Sequence, residues 1–270
     1  MGLDKKSITS GNESDSTSVS LSDKITALEL NTYSPAELLL LIKAPSVTLS
    51  EAMGVTLMDL LLKMVVKVKP IEVKSRSKVK PVRIVLHIKM GMNISTHIPK
   101  EHERYFLHFI QRDYQPLQLY LRNVYDAIPL ESTFERDILA NGLKNLMQRK
   151  SYIFFSRFSF SKAGKAFKEE LKQLFAELAE KLPNYIQNDK MQAINLLEKM
   201  GGTIFLIENI NLKSLNGLHK ELLMDEKLSG RAFFGNYYDY EILNWVDSVI
   251  HSIESFTSGG DSGDFTDIDF

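Results

Sequence analysis

The stretch 34–88 restricts the fold more than any other part of this chain. It opens with Ser34-Pro35-Ala36-Glu37. Serine can cap a helix, and proline suits the first helical position, where its missing N–H is not needed. A glutamate three residues after the cap completes a capping box. The pattern predicts an apolar helix over Pro35–Lys43, stopped by Ala44-Pro45. Thr48 or Ser50 then caps a short helix over 51–53, which Gly54 ends. Thr56 opens a third helix to about Met64, with Asp59 and Lys63 as an i,i+4 pair on its one polar edge. Two β-type runs follow. In 65–73, Val66, Val68, Ile71 and Val73 stand against Lys67, Lys69 and Lys74, and Pro70 marks an edge strand or a bulge. Residues 74–78 form the turn. Residues 82–88 return, with Val82, Ile84, Leu86 and Ile88 on one side.

Residues 1–22 are polar, rich in serine and poor in large apolar side chains. Such a segment buries too little surface to offset its ordering entropy, so a disordered tail is expected, with folding from about Leu21. Beyond the hairpin, 89–100 reads as a loop, 101–112 as a helix and Leu117–Ala127 as another. Residues 134–150 read as an amphipathic helix or helix pair with Leu139, Leu143, Leu146 and Met147 on one face. Two short strands, 152–155 and 158–160, surround Ser156-Arg157. A helix over 165–182 ends at Pro183, and another over 188–200 ends at Gly201-Gly202. Residues 203–207 are a short strand or a buried helical turn. Helices are expected over 212–227 and 237–256, the last with Ile242, Trp245, Val249 and Ile253 on one face. Residues 257–270 form an acidic, flexible tail.

A chain of 270 residues with 44% hydrophobic side chains buries a full core without staples. It has no cysteine, which removes disulfides, thiolate metal sites and cysteine nucleophiles. No apolar run nears the roughly 20 residues of a membrane span. Lys5 and Lys6 are followed by polar serines rather than an apolar segment, and the position where a myristoylation motif wants serine or threonine is Lys6. A cytoplasmic protein is expected. The net charge is −1, but the charges are uneven. Residues 63–89 hold nine Lys or Arg against one acid, Glu72, and residues 254–270 hold five acids and no base.

The segment AELLLLIKAP…LSEAMGVTLMDLLLKMVVKVKPIEV resembles the winged-helix module: an apolar helix, a small helix, a Leu-rich helix and a β-hairpin wing. It looks most like the winged-helix units of the Golgi phosphoprotein family and of bacterial membrane-associated winged-helix proteins of unknown function. FSKAGKAFKEELKQL is similar to the strand-to-helix junction that follows a wing, so a second copy is placed at 134–182. The glycine usual after the Leu-rich helix is replaced here by Met64-Val65. The resemblance implies phosphoinositide-headgroup recognition by basic and aromatic residues, whose positions have no one-for-one counterpart in this chain. The fold expected is mainly α (α+β). It comprises a first winged-helix-like module with following helices (23–130), a second (131–184) and a C-terminal helical region (185–256).

Three groups of residues are candidates for function. The basic wing, Lys67, Lys69, Lys74, Arg76, Lys78, Lys80 and Arg83, suits phosphate or carboxylate groups, although lysines also blunt exposed sheet edges. Asn141, Lys144, Asn145 and Gln148 fall at helical spacing beside Arg149. Such a stripe can read base edges, with Arg157 and Lys162 on phosphates. Phe233, Phe234, Tyr237 and Tyr238 make either a partner patch or a core plug. The third helix of the first module has too few polar groups to read bases. His97, His102 and His108 lack the spacing of a metal motif, and no phosphate loop or nucleophile elbow occurs, so neither metal, cofactor nor catalysis is expected. The reading that results is a non-enzymatic adaptor that binds an acidic partner through the wing. The alternatives are nucleic-acid binding by the second module and peripheral binding to anionic lipid headgroups.

Overall fold

The computed structural model describes residues 20–74, 82–140, 142–151, 156–207, 217–218 and 246–257. Ser20 caps the first helix, α1 (Leu21–Ala27), and a 3-10 turn leads to Ser34. The capping box there is formed: the Ser34 side chain accepts from the Glu37 N–H, and the Glu37 carboxylate accepts from the Ser34 N–H at 2.6 Å. It starts α2 (Pro35–Lys43), whose buried Leu38, Leu39, Leu40 and Leu41 leave almost no polar face.

The two short helices expected next are one helix, α3 (Leu49–Leu62), capped by Thr48 through a second capping box with Glu51. Gly54 lies inside it. Glycine in a helix interior costs about 1 kcal/mol relative to alanine but does not break the hydrogen-bond ladder. From Thr56 to Leu62 every residue of α3 is buried. Its end is a Schellman motif: the Val65 N–H reaches the Leu60 carbonyl and the Met64 N–H the Leu61 carbonyl. Met64 therefore holds φ +53°, a conformation that glycine adopts at least cost.

The hairpin β1 (Val66–Lys74) and β2 (Val82–Met90) pairs residue for residue, Val66 with Met90 through Lys74 with Val82. No bulge occurs at Pro70. Among the described residues strand β1 is the edge of a sheet in the order β1-β2-β3, where the missing proline N–H is tolerated, and β3 is the short strand Gln115–Pro116. Because the register runs through Pro70 unbroken, Ile71 and Val73 fall on the lysine face rather than with Val66 and Val68.

The helix expected at 101–112 is shorter: a 3-10 turn and α4 (Arg104–Phe109). Helix α5 (Leu117–Ala127) follows β3 and buries Leu117, Tyr120, Leu121 and Val124 on one face. The helix expected at 134–150 is corrected. Helix α6 (Glu131–Leu139) stops, the chain turns, and β4 (Met147–Ser151) pairs with β5 (Ser156–Phe160). Leu139, Leu143 and Met147 are buried as the helical reading required. A turn running into a strand hides the same side chains. The strand expected at 152–155 thus begins five residues earlier, and 152–155 themselves lie outside the described residues.

Ser161 caps α7 (Lys162–Asn188), which runs through Pro183 instead of ending there. Leu171, Leu174, Phe175, Leu178 and Leu182 are buried, and Tyr185 and Ile186 pack on the same core. These contacts extend the helix past the carbonyl that proline leaves without its donor. Asp189 caps α8 (Lys190–Met200), and Gly201 at φ +52° leads into a buried 3-10 turn, Gly201–Leu206. Of the last expected helix, α9 (Val246–Thr257) is described, with Val249 and Ile253 buried. It packs on α3 and α5. Residues from both proposed modules join one contiguous core. No helix among the described residues is long and apolar enough to cross a membrane.

Candidate basic interaction face

In the β1–β2 register, directly opposed residues share a face of the sheet. Val66, Val68, Leu86 and Ile88 point to the core. Lys67 stands opposite Lys89, and Lys69 opposite His87, on the other face. Lys67 and Lys69 are exposed. The Tyr114 ring, just before β3, lies 4.6 Å from the Lys89 ammonium and 6.0 Å from that of Lys69. Both are within cation–π range. The His87 Nδ1 lies 3.1 Å from the Val85 carbonyl, which fixes the ring. The face therefore carries three ammonium groups and an imidazole, and two of the ammonium groups lie over one phenol ring. Among the described residues no ion pair engages Lys67, Lys69 or Lys89.

Lys74, the last residue of β1, is exposed. It lies on the opposite face, beside exposed Ile84 and Val82. Arg83 pairs with Val73 in the backbone register. Arg76, Lys78 and Lys80 lie outside the described residues. Lys89 and Tyr114 were not among the residues picked from sequence. Lys89 sits beyond the alternating run, and Tyr114 meets the hairpin only through β3.

The second candidate group does not share a helix face. Asn141 lies outside the described residues, Lys144 and Asn145 are exposed in the turn, and Gln148 and Arg149 belong to β4. The Arg149 guanidinium donates to the Ser132 carbonyl at 3.2 Å and pairs with Glu135 at 3.2 Å, which ties it to α6. Arg157 pairs with Lys150 in the β4–β5 register, and Lys162 is exposed at the start of α7. Phe233, Phe234, Tyr237 and Tyr238 lie outside the described residues.

Away from the hairpin, ionisable groups are buried where α2, α3 and the 3-10 turn before α4 meet. The Glu37 carboxylate has no exposed surface. It accepts from the Ser34 N–H, the Lys100 ammonium and, at 3.0 Å, the Gly142 N–H. His102 sits 3.2 Å from the Ser34 hydroxyl and edge-on to Phe134. Its Nδ1 has no partner. Burial holds the imidazole down at about 4, against the pull of Glu103 and Glu37 toward the charged form. Burial pushes Glu103 upward, but hydrogen bonds from His97 at 2.9 Å and the Lys100 N–H at 2.8 Å outweigh it and lower its carboxyl.

Asp59 is also buried, and burial raises its carboxyl although Lys63 pairs with it at 2.5 Å. Its Oδ1 has no partner. Gly202 seals that oxygen: a Cβ there would stand 2.2 Å from it. Asp59 and Lys63 also line an open cavity of about 750 Å³ between α1, α3, α8 and the turn after α8. The cavity's other ammonium, Lys199, is engaged by Ser22 at 2.6 Å and Thr26 at 3.1 Å. These networks join elements far apart in the sequence, and their charged groups are largely satisfied internally. The hairpin lysines are not.

No protein-family model matches the chain, and no curated protein or solved structure matches it either.

Proposed function

We propose that the chain is a non-catalytic interaction module that engages an acidic polypeptide through the exposed face of the β1–β2 hairpin. One observation carries this reading: the register sets Lys67 directly opposite Lys89, with Lys69 and His87 as the next pair. Like charges directly opposed across a sheet are destabilising. A face that concentrates them, with no carboxylate paired among the described residues, is one that a partner's carboxylates stabilise. Tyr114 packs beside Lys69 and Lys89, adding an apolar ring to the charged surface. The nucleic-acid alternative has less support, because its stripe is divided between a turn and a strand and Arg149 is occupied by Glu135.

The test is fluorescence anisotropy with a fluorescein-labelled deca-glutamate peptide. The wild-type chain binds it, and the affinity falls as salt rises because exposed charges are screened. Lys67→Glu with Lys69→Glu lowers the affinity at least tenfold, roughly the effect of two favourable contacts turned repulsive. Equal binding by wild type and the double variant, or no binding by wild type at low salt, contradicts the reading.

A second reading has its own observation. Val82 and Ile84 are 50% and 43% exposed on the face that also carries Lys74. Apolar side chains beside an ammonium group also suit an anionic membrane surface, although Glu72 stands opposite Ile84 on this face. Flotation with vesicles containing phosphatidylserine separates the two readings. Binding lost in Val82→Ser with Ile84→Ser, but kept in Lys67→Glu with Lys69→Glu, favours the membrane.

A further inference from the structure

The open cavity of about 750 Å³ between α1, α3, α8 and the turn after α8 has the volume of a small-molecule site. Among the described residues, three carboxylates line it, Glu29, Asp59 and Glu198, against two ammonium groups, Lys63 and Lys199. With all five ionised, one negative charge is in excess. Both ammonium groups are already engaged, Lys63 by Asp59 and Lys199 by the Ser22 and Thr26 hydroxyls. Glu29 and Glu198 take part in no ion pair among the described residues.

Asp59 adds a buried acceptor to this wall. Its side chain is 2% exposed, its Oδ2 holds Lys63, and its Oδ1 has no hydrogen-bond partner. That oxygen lies against Gly202, which lines the cavity too. A desolvated carboxylate oxygen without a donor is costly until positive charge comes near it. Glu29 ends α1 in the left-handed conformation, φ +48°, where glycine costs least. The chain thus holds a carboxylate at the cavity against the preference of its backbone, as side chains at ligand sites often are held. Burial raises the Tyr33 phenol, and the Glu37 and Glu29 carboxylates raise it further, so the field of Glu29 reaches this wall residue.

The lining selects among ligands. An anion would face three carboxylates and find both ammonium groups taken. An apolar ligand would find little to touch, because Ile25, Leu30 and Met200 are 2%, 1% and 2% exposed. A metal ion lacks its ligands, since no group of three or more His, Asp or Glu side chains among the described residues could hold one. An organic cation neutralises the excess charge. A primary ammonium also brings three N–H donors to carboxylates that have no partner, and the Tyr33 ring suits a cation.

We propose that this cavity binds a small organic cation with a single primary ammonium group, with Glu29 and Glu198 as its counter-ions and Asp59 keeping the wall beneath it negative. The site is separate from the basic hairpin and does not rest on the function given above.

Nitrogen-15 chemical-shift mapping of the full chain with n-butylamine tests the proposal, with n-butanol and butyrate as its neutral and anionic counterparts. Saturable shifts are expected at amides 29–33, 59–63 and 195–203 with the amine alone, at about millimolar affinity, as for a ligand of few atoms. Glu29→Gln with Glu198→Gln lowers that affinity at least about tenfold, the effect of losing two charge-assisted contacts. Glu29 is exposed and Glu198 half-buried, so the double variant is expected to keep its fold, which amide shifts away from the cavity verify. Should it not, Glu198→Gln alone carries the test, with a drop of about threefold. No saturable shifts at those amides, equal shifts with butanol or butyrate, or unchanged affinity in the variant overturns the proposal. Deca-glutamate reads the hairpin and butylamine the cavity, so the two sites can fail separately.

Discussion

Glu37 shows what a single side chain does in this fold. Its carboxylate accepts from Ser34 at the start of α2, from Lys100 before α4 and from Gly142 in the turn after α6. Removing one partner of a buried pair leaves the other charge without compensation, which costs about 3 kcal/mol or more. The capping part of this role was legible, because Ser34 and Glu37 stand at capping-box spacing. The rest was not, since Lys100 and Gly142 lie 63 and 105 residues away. Nothing local marks such partners.

His102, in the same cluster, gives the prediction at this scale. Its folded pKa, about 4, lies below the ordinary 6.5, with burial as the cause. Between pH 6.5 and 4 the unfolded chain therefore binds a proton that the folded chain does not. Stability is fully present above pH 6.5 and falls as the pH drops through that window, by up to about 3 kcal/mol. Glu103, whose carboxyl is lowered, acts in the same direction at the acid end, and Asp59, whose carboxyl is raised, opposes it. The difference between wild type and His102→Gln isolates the histidine. Urea unfolding from pH 7 to 4 shows a steeper loss for wild type than for the variant. Parallel curves contradict the assignment.

At the scale of elements, two helical glycines do opposite jobs. Gly54 lies within α3, and among the described residues a Cβ there would meet nothing nearer than Ile253 of α9, at 4.0 Å. Gly54→Ala therefore stabilises by about 0.5–1 kcal/mol through helix propensity. Gly164, in the first turn of α7, lets that helix press against the preceding turn, and a Cβ there would stand 1.9 Å from the Leu146 carbonyl oxygen. That oxygen belongs to backbone already bonded to the Ser161 N–H. Gly164→Ala therefore destabilises by about 1–3 kcal/mol, the range of overpacking. Thermal unfolding of the two variants checks both signs.

Gly54 also shows why the sequence reads as two short helices where the structure has one. Glycine signals a helix end only where the chain needs φ > 0. Here that place is Met64, ten residues on. The 134–150 region differs from its helical pattern for another reason. Its apolar spacing at 139, 143, 146 and 147 fits a helix, and the burial it implied is real. Period alone does not distinguish a helix from a short helix, a turn and a strand start that hide the same residues.

At the scale of the molecule, the mainly α fold with its small antiparallel sheets was legible, because strong caps and apolar stripes state it locally. The basic face was half legible. Lys67 and Lys69 declare themselves by alternation, whereas Lys89 and Tyr114 join them only through cross-strand pairing and the return of the chain at β3. The buried networks satisfy their charges within the fold, and the hairpin face leaves its own exposed. That contrast supports the proposed interaction site at the hairpin rather than in the core. Nitrogen-15 chemical-shift mapping of the full chain with deca-glutamate reads the location of binding residue by residue. Perturbed amides are expected centred on 67–69, 87–89 and 114, growing with probe concentration and reversed by salt. Perturbations centred on 144–149 and 162, or none at saturating probe, contradict the proposed site.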